Sequence, residues 1–502
     1  MLLVLGFLSP AAGCIRVDAR PDMRRARRLI AGRTGVEQSY DPETEASIEA
    51  MIRTRLEDGL TVEEAVQIAM LNNKRFQARV QEIGVARADL VQAGLLSNPS
   101  FGISPRFPEG GGRANLTLTM GQELADLWQI PLRRRLAEGA LEEAVLRVAR
   151  AANDLVFDVR RTCYEWLAFQ RLEQAAQETL RLAETSLSVA THRFEAGDAN
   201  QVDVNLARAN VLEARARLIE LRGMRRAARH EVGHLLGLAR WEPRWTLQDA
   251  IPAEPLPPQD ETDLIVFAMR ERLDAQAAER EVHAAEDRVR REYRRVIPHF
   301  AVGWEWERVE RRALPGRKLL ADTARASVAN GRLTAPSIQS RAERRRERSQ
   351  IIDSLLGPTF DLTLPLWDQN QAQIAKARFQ AVEARKRYEA ILDDVARDVR
   401  EALAAARSTE ELVSFLREKG LPLAQAHVES AKRAYEAGQI DILNVVDAER
   451  RLIAQREAYI QAQRDHAVAM AQLRRALGGR LPPETEQTEP ARSSPTEETT
   501  RP

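Results

Sequence analysis

Arg193-Phe194-Glu195-Ala196-Gly197-Asp198-Ala199-Asn200-Gln201-Val202-Asp203-Val204 returns near the C-terminus as Ala434-Tyr435-Glu436-Ala437-Gly438-Gln439-Ile440-Asp441-Ile442-Leu443-Asn444-Val445. Each copy carries an aromatic-Glu-Ala-Gly step with long helical sequence on both sides. Glycine takes the left-handed conformation that ends a helix, so each copy reads as a tight turn between two helices. The chain is therefore read as a repeat before anything else.

The matches extend outward from the turns. Ala69-Met70, Gln77-Ala78 and Pro99 correspond to Ala268-Met269, Gln276-Ala277 and Pro298 at an offset of 199, whereas the turns and the ends Leu236-Gly237 and Leu477-Gly478 correspond at 241. The second half thus holds 42 extra residues between Pro298 and the helix that leads to Tyr435. The expected organisation is a signal at 1–14, a tether at 15–58 with one helix near 46–56, a first repeat at 60–238 and a Pro-rich link at 239–259. A second repeat follows at 260–478 with its insertion at about 309–356, and then a disordered tail at 479–502.

Within each repeat the periodicity changes in the same order. Thr61-Val62-Glu63-Glu64 has the spacing of a capping box, and Val62, Val66, Ala69, Phe76, Val80, Ile83 and Leu90 mark one amphipathic helix running from it. Two short alternating strands come next, Phe101 and Ile103 in the first and Leu116, Leu118 and Met120 in the second, with Pro108-Glu109-Gly110-Gly111-Gly112 as the turn. The second half alternates through Phe300, Val302, Trp304 and Trp306, then Phe360, Leu362, Leu364 and Leu366. Their polar faces carry Glu305, Glu307 and Asp361, and Trp128 and Trp367 stand just past the hairpins, where an interfacial aromatic belt would lie. Hairpins packing one face on a soluble core are the plainer reading. The charged and aromatic segregation favours lipid outside and water inside.

After each hairpin runs a very long helix. From Leu141 through Val145, Val148, Ala152 and Leu155 to Phe194, apolar residues recur at steps of four and three, interrupted only by Glu173, which is a coiled-coil period. About 65 residues at 1.5 Å each would span about 100 Å. Gln371 to Ala437 is read as the matching helix. No run of about 18 apolar residues exists, so no transmembrane helix is expected.

Composition narrows the function. The 75 basic and 74 acidic residues leave a formal charge of +1, giving no field that favours nucleic acid. Only six of the basic residues are lysine, a preference that carries no functional weight here. Cys163 sits inside a helical run and reads as a small buried hydrophobe. Cys14 ends the apolar run Met1 to Gly13 and has the form of a lipoprotein signal with acylation at the cysteine.

Taken in order over about residues 60–478, the Phe194-Glu195-Ala196-Gly197 and Tyr435-Glu436-Ala437-Gly438 turns, the Leu-Gly helix ends, Asn72-Asn73, Arg272-Leu273-Asp274 and Leu364-Pro365-Leu366-Trp367 resemble the TolC-like family of outer-membrane efflux ducts. The resemblance implies a mainly α protein with a small β part: long antiparallel coiled-coil helices plus four strands per chain. Three chains would complete a twelve-stranded barrel and an α-helical periplasmic tunnel. It implies a homotrimer in outer-membrane lipid, a periplasmic adaptor docking at the turns around Phe194, Gly197, Tyr435 and Gly438, an inner-membrane transporter, and no cofactor. Family members place acidic constriction residues six and nine positions after the second turn glycine. Here those are Asn444 and Asp447, with Asp203 and Leu206 at the corresponding places in the first half, so one carboxylate of the pattern is missing.

One motif argues for another class. His230-Glu231-Val232-Gly233-His234 fits H-E-x-x-H, which puts two imidazoles on one helix face to bind zinc beside a general-base Glu, as in a metallopeptidase. A metzincin would need a third His at 240, which is Arg, and the repeat places Ala471, Gln472 and Arg475 opposite the motif. A soluble coiled-coil scaffold is the third class; it accounts for the helices and leaves the strands unexplained. The preferred reading is a non-enzymatic channel.

Overall fold

The computed structural model describes residues 16–43, 45–57, 59–107, 114–197, 199–238, 245–296, 299–310, 319–333 and 352–483. Outside the described residues lie Cys14 with its signal-like run, the Pro108 to Gly112 turn, Asp198, Pro298, the Arg341 to Arg348 run of the insertion and the tail from 484 on. In chain order the elements are α1 (Arg20–Thr34), α2 (Glu45–Glu57), α3 (Val62–Asn72), α4 (Lys74–Ala93), β1 (Ser100–Arg106) and β2 (Asn115–Glu123). Then come α5 (Asp126–Glu195), α6 (Gln201–Leu235), α7 (Glu261–Glu271), α8 (Leu273–Arg294), β3 (Phe300–Glu310), α9 (Leu319–Ala329) and β4 (Ile352–Leu362). The last three are α10 (Gln371–Phe415), α11 (Leu421–Glu436) and α12 (Ile442–Ala476).

Residues divide into two compact units. One holds Leu90–Glu138 and Ala285–Ala381, the other Met1–Asp89, Gly139–Ala284 and Val382–Pro502.

The first unit is built on one antiparallel sheet in the order β1-β2-β3-β4. Its register places Phe101, Met120, Trp304 and Pro358 in one cross-strand row and Ile103, Leu118, Trp306 and Leu356 in the next, all on one face. The opposite face carries rows such as Gly102, Thr119, Glu305, Gly357 and Ser104, Thr117, Glu307, Leu355. The alternation anticipated from sequence is thus realised strand by strand. β4, however, ends at Leu362 rather than continuing through Leu366. Its partner β3 begins at Phe300, opposite Leu362, the pairing among the described residues ends with Thr363 N donating to His299 O at 3.3 Å, and Pro365 has no N–H to offer.

The helical unit departs from expectation at four places. The helix expected to run unbroken from Thr61 is cut at Asn73, whose ψ of 113° is extended. Asn73 caps the next helix, its Oδ1 accepting from Phe76 N at 2.9 Å. The helix expected from Gln371 to Ala437 opens into a π-turn at Leu416–Gly420. Pro422, just beyond, cannot donate to a carbonyl one turn back, and a widened turn accommodates that missing bond. The segment read as a tether contains α1, a 15-residue helix that buries Ala26, Ile30 and Thr34 and ends at Gly35 with φ of 72°. Finally, the link after Gly237 is packed: Trp245 meets Trp166 edge-on with centroids 5.1 Å apart, and Leu60 bridges to Leu247. The Thr61 capping box is present as expected, Glu64 N donating to Thr61 Oγ1 at 3.2 Å and Thr61 N to Glu64 Oε2 at 2.9 Å.

Glu173, the interruption of the coiled-coil seam, is 5% exposed and pairs with Arg222 at 3.2 Å and Arg225 at 2.9 Å, both on α6. These arginines are about half exposed and return to water if the carboxylate is removed. Glu173→Leu should therefore change stability by less than about 1 kcal/mol, or raise it, because a Leu there continues the seam. A chemical denaturation midpoint lowered by much more would show the pair to be structural.

Candidate functional site

Two regions bear on function: the sheet, and the pair of helical turns. The turns have the geometry their glycines foretold. Gly197 and Gly438 have φ of 85° and 74°, with Gly197 N donating to Phe194 O at 3.1 Å and Gly438 N to Tyr435 O at 3.0 Å. The structure brings the two turns together. The Arg193 guanidinium lies 4.6 Å from the Tyr435 ring centroid, and Leu206, Tyr435 and Ile440 pack on a buried cluster that includes Ile442, Val445, Val446 and Leu452. Phe194 remains 42% exposed, which leaves an aromatic ring available at this end.

The three constriction candidates differ in what holds them. Asp203 closes a capping box with Asn200: its N donates to Asn200 Oδ1 at 2.9 Å, and its carboxylate accepts from Asn200 N at 3.2 Å. That role was open to sequence reasoning, since Asn200-x-x-Asp203 has capping spacing. Asn444 and Asp447 are exposed on the first two turns of α12, and no side-chain hydrogen bond or ion pair engages the Asp447 carboxylate among the described residues.

On the sheet, the apolar face is open: Phe101, Ile103, Trp304, Leu356 and Phe360 are each more than half exposed. Trp128 stacks on Phe300 with centroids 6.3 Å apart, while Trp367 is 87% exposed. β1 and β4 are the sheet's edges, and neither has a second partner strand among the described residues. Such edges and such a face are tolerable in lipid only when closed by further strands.

The rival motif occupies the last turns of α6. His230, Glu231 and His234 are exposed, while Val232 and Gly233 between them are buried, Gly233 beside Trp245. Among the described residues no group of three or more His, Cys, Asp or Glu is placed to hold a metal ion. The Cys163 thiol is buried and burial pushes its pKa far up, so it stays a neutral packing group.

Comparison with known proteins adds to this geometry. Residues 65–238 and 264–479 match the family model described as outer membrane efflux protein. The cobalt-zinc-cadmium resistance protein CzcC of Cupriavidus metallidurans is 23% identical over 432 residues, covering 84% of this chain and 90% of that protein. The toluene efflux pump outer membrane protein TtgC of Pseudomonas putida is 23% identical over 492 residues, covering 91% and 92%. Among solved structures, CusC superposes with a TM-score of 0.65 at 17% identity, covering 84% of this chain and 92% of that one.

Proposed function

Because the chain belongs to the outer membrane efflux protein family, we propose that it is the outer-membrane channel of a tripartite efflux or type I secretion assembly. It is a passive conduit located in the outer membrane, with its helices in the periplasm. The observation that carries this reading is the four-stranded sheet with one exposed apolar face, one polar face bearing Glu305 and Glu307, and two edges unpaired among the described residues. Three copies joined edge to edge make twelve strands, which removes every edge and turns the polar face toward a water-filled lumen. No bond chemistry is needed of any residue.

Partners follow from the same reading. A periplasmic adaptor, coupled to an inner-membrane transporter, contacts the turns around Gly197 and Gly438, with Phe194 and Tyr435 as the aromatic contacts. The Arg193 to Tyr435 contact makes the two turns one docking unit. Since capping already engages the Asp203 carboxylate, Asp447 is the residue we assign to a threefold constriction ring, with Asn444 beside it. Cys14 is assigned as the lipid attachment site that tethers the chain to the membrane. The names of the two relatives couple one to cobalt, zinc and cadmium and the other to toluene, so substrate class is not fixed by membership alone.

The deciding experiment is the native mass of the particle extracted in mild detergent from the outer-membrane fraction. A mass of about three chains supports the channel. A soluble monomer carrying stoichiometric zinc overturns it and restores His230 and His234 to the centre.

A second expectation tests the turns. Nothing lies within 4 Å of a Cβ added at Gly438, so only its φ of 74° opposes substitution. Gly438→Val should block export while the trimer still assembles, because about 1–2 kcal/mol of backbone strain is concentrated at the docking turn. Export assays alongside trimer mass check this, and loss of the trimer itself would refute the division of roles.

A further inference from the structure

A cavity of about 290 Å³ in the sheet-bearing unit is lined by Arg288, Arg291 and Glu292 of α8, Gln373 and Lys376 of α10, and Leu136 of α5, among others. Three nearby arginines are paired, Arg133 with Asp126 at 3.0 Å, Arg290 with Asp287 at 3.0 Å and Arg295 with Glu292 at 3.5 Å, whereas Arg294 on α8 has no ion-pair partner among the described residues. Among the described residues, the side chains of Arg288, Arg291 and Lys376 have no such partner. The one carboxylate in the lining, Glu292, is matched by a fourth cation, Arg295, 3.5 Å from its Oε1, and its Oε2 accepts from Asn370 Nδ2 at 3.0 Å, so the excess of three positive charges stands. Three uncompensated cations and an amide donor around one cavity call for an anion with several oxygens.

The flanks say which anion. Leu136 contributes an apolar wall, and Phe379, three residues past Lys376, is 76% exposed. Lys376 lies in the second turn of α10, and that helix begins four residues past Trp367, which is 87% exposed. Leu364 and Leu366 just before it are also about two-thirds exposed. A free phosphate has no use for this apolar margin. A phospholipid requires it, its acyl chains lying along the apolar side and its phosphate among the cations.

The geometry points to a binding site for the headgroup of an anionic phospholipid at the periplasmic rim of the barrel, formed by Arg288, Arg291 and Lys376. This rests on the reading of the sheet as membrane-embedded. The site would fix the depth at which the sheet sits in the bilayer and order the α8 and α10 ends beside it.

The test is native mass spectrometry of the delipidated trimer in detergent, titrated with phosphatidylglycerol or with phosphatidylethanolamine. Phosphatidylglycerol should be retained several-fold more, and R288Q/R291Q/K376Q should reduce that retention about tenfold or more while leaving phosphatidylethanolamine unchanged. The single K376Q, at an exposed position, gives the same readout in a smaller step if the triple variant does not assemble. Equal retention of the two lipids, or no change in either variant, overturns the site. Full displacement by millimolar inorganic phosphate would show a free-anion pocket and overturn the lipid assignment. A particle that is no membrane trimer defeats the channel reading and the site with it, whereas an outer-membrane trimer without lipid selectivity defeats the site alone.

Discussion

Gly237→Val is expected to abolish folded protein in the outer-membrane fraction, in contrast to Gly438→Val. Both glycines have positive φ, 70° at Gly237 and 74° at Gly438. Their surroundings differ. A Cβ at Gly237 would stand 2.6 Å from Asn72 O and 2.9 Å from Asn72 Nδ2, whereas a Cβ at Gly438 would meet nothing within 4 Å. Asn72 is also what satisfies the end of α6. Its Nδ2 donates to Leu236 O at 2.9 Å and to Gly237 O at 3.2 Å, and Asn73 Nδ2 donates to Leu235 O at 2.8 Å. Displacing that amide orphans helix-end carbonyls at about 1–3 kcal/mol each, on top of about 1–2 kcal/mol for the left-handed backbone. The sum is a large part of the roughly 5–15 kcal/mol that holds a domain folded. Asparagine separates the two causes, since it tolerates the left-handed region but still carries a Cβ. Gly438→Asn should keep export and Gly237→Asn should still fail, as read by trimer yield and efflux. Equal behaviour of the two Asn variants would show that contact with Asn72 is irrelevant.

The Asn72 contact also shows how sequence offsets become geometry. Gly478, 241 residues after Gly237, would place a Cβ 3.1 Å from Glu271 O, and Glu271 is 199 residues after Asn72. Asn73 and Arg272, related by the same 199, are the two extended residues that end α3 and α7. The turns, the Thr61 cap, the alternating strands and the long helices were legible because each depends on residues close in sequence. What was missed depends on contacts or on single residues that override a period. The α4 break needs Asn73 to find Leu235 across the fold. The π-turn follows from Pro422, which a seam count alone passes over. α1 buries only Ala26, Ile30 and Thr34, a stripe too narrow to stand out in a sequence so rich in arginine. At the functional regions, glycine turns and facing strands could be read directly. That Arg288, Arg291 and Lys376 are unpaired could not, because pairing is decided by which helices meet.

Arg272→Met should destabilise the helical unit by about 3–5 kcal/mol at neutral pH, the opposite of what Glu173→Leu does, because of what each leaves behind. Arg272 donates to Asp274 Oδ2 at 2.6 Å and to Asp398 Oδ2 at 2.7 Å, and the Asp274 side chain is only 9% exposed. Removing the guanidinium strands a buried carboxylate, with Arg150 at 3.4 Å as its remaining cation and the Ala275 N–H, at 3.1 Å, as its remaining hydrogen-bond donor. Glu173, by contrast, leaves only solvated arginines. The pH dependence gives the sign. In the intact protein burial pushes the Asp274 carboxyl up, but the hydrogen bond and charge of Arg272 outweigh it and hold it below the usual carboxylate range. Its stabilising contribution is therefore complete above the unfolded-state value and is lost as pH falls through the lower folded value. In Arg272→Met burial dominates, the folded value rises above the unfolded one, and the variant is penalised at neutral pH but relieved as the carboxyl takes up a proton. The gap in denaturation midpoint between the two proteins should thus be widest near pH 7 and narrow toward pH 4. A gap independent of pH would mean that the loss comes from the packing of the Arg272 stem, and that the charge network between α8 and α10 contributes nothing.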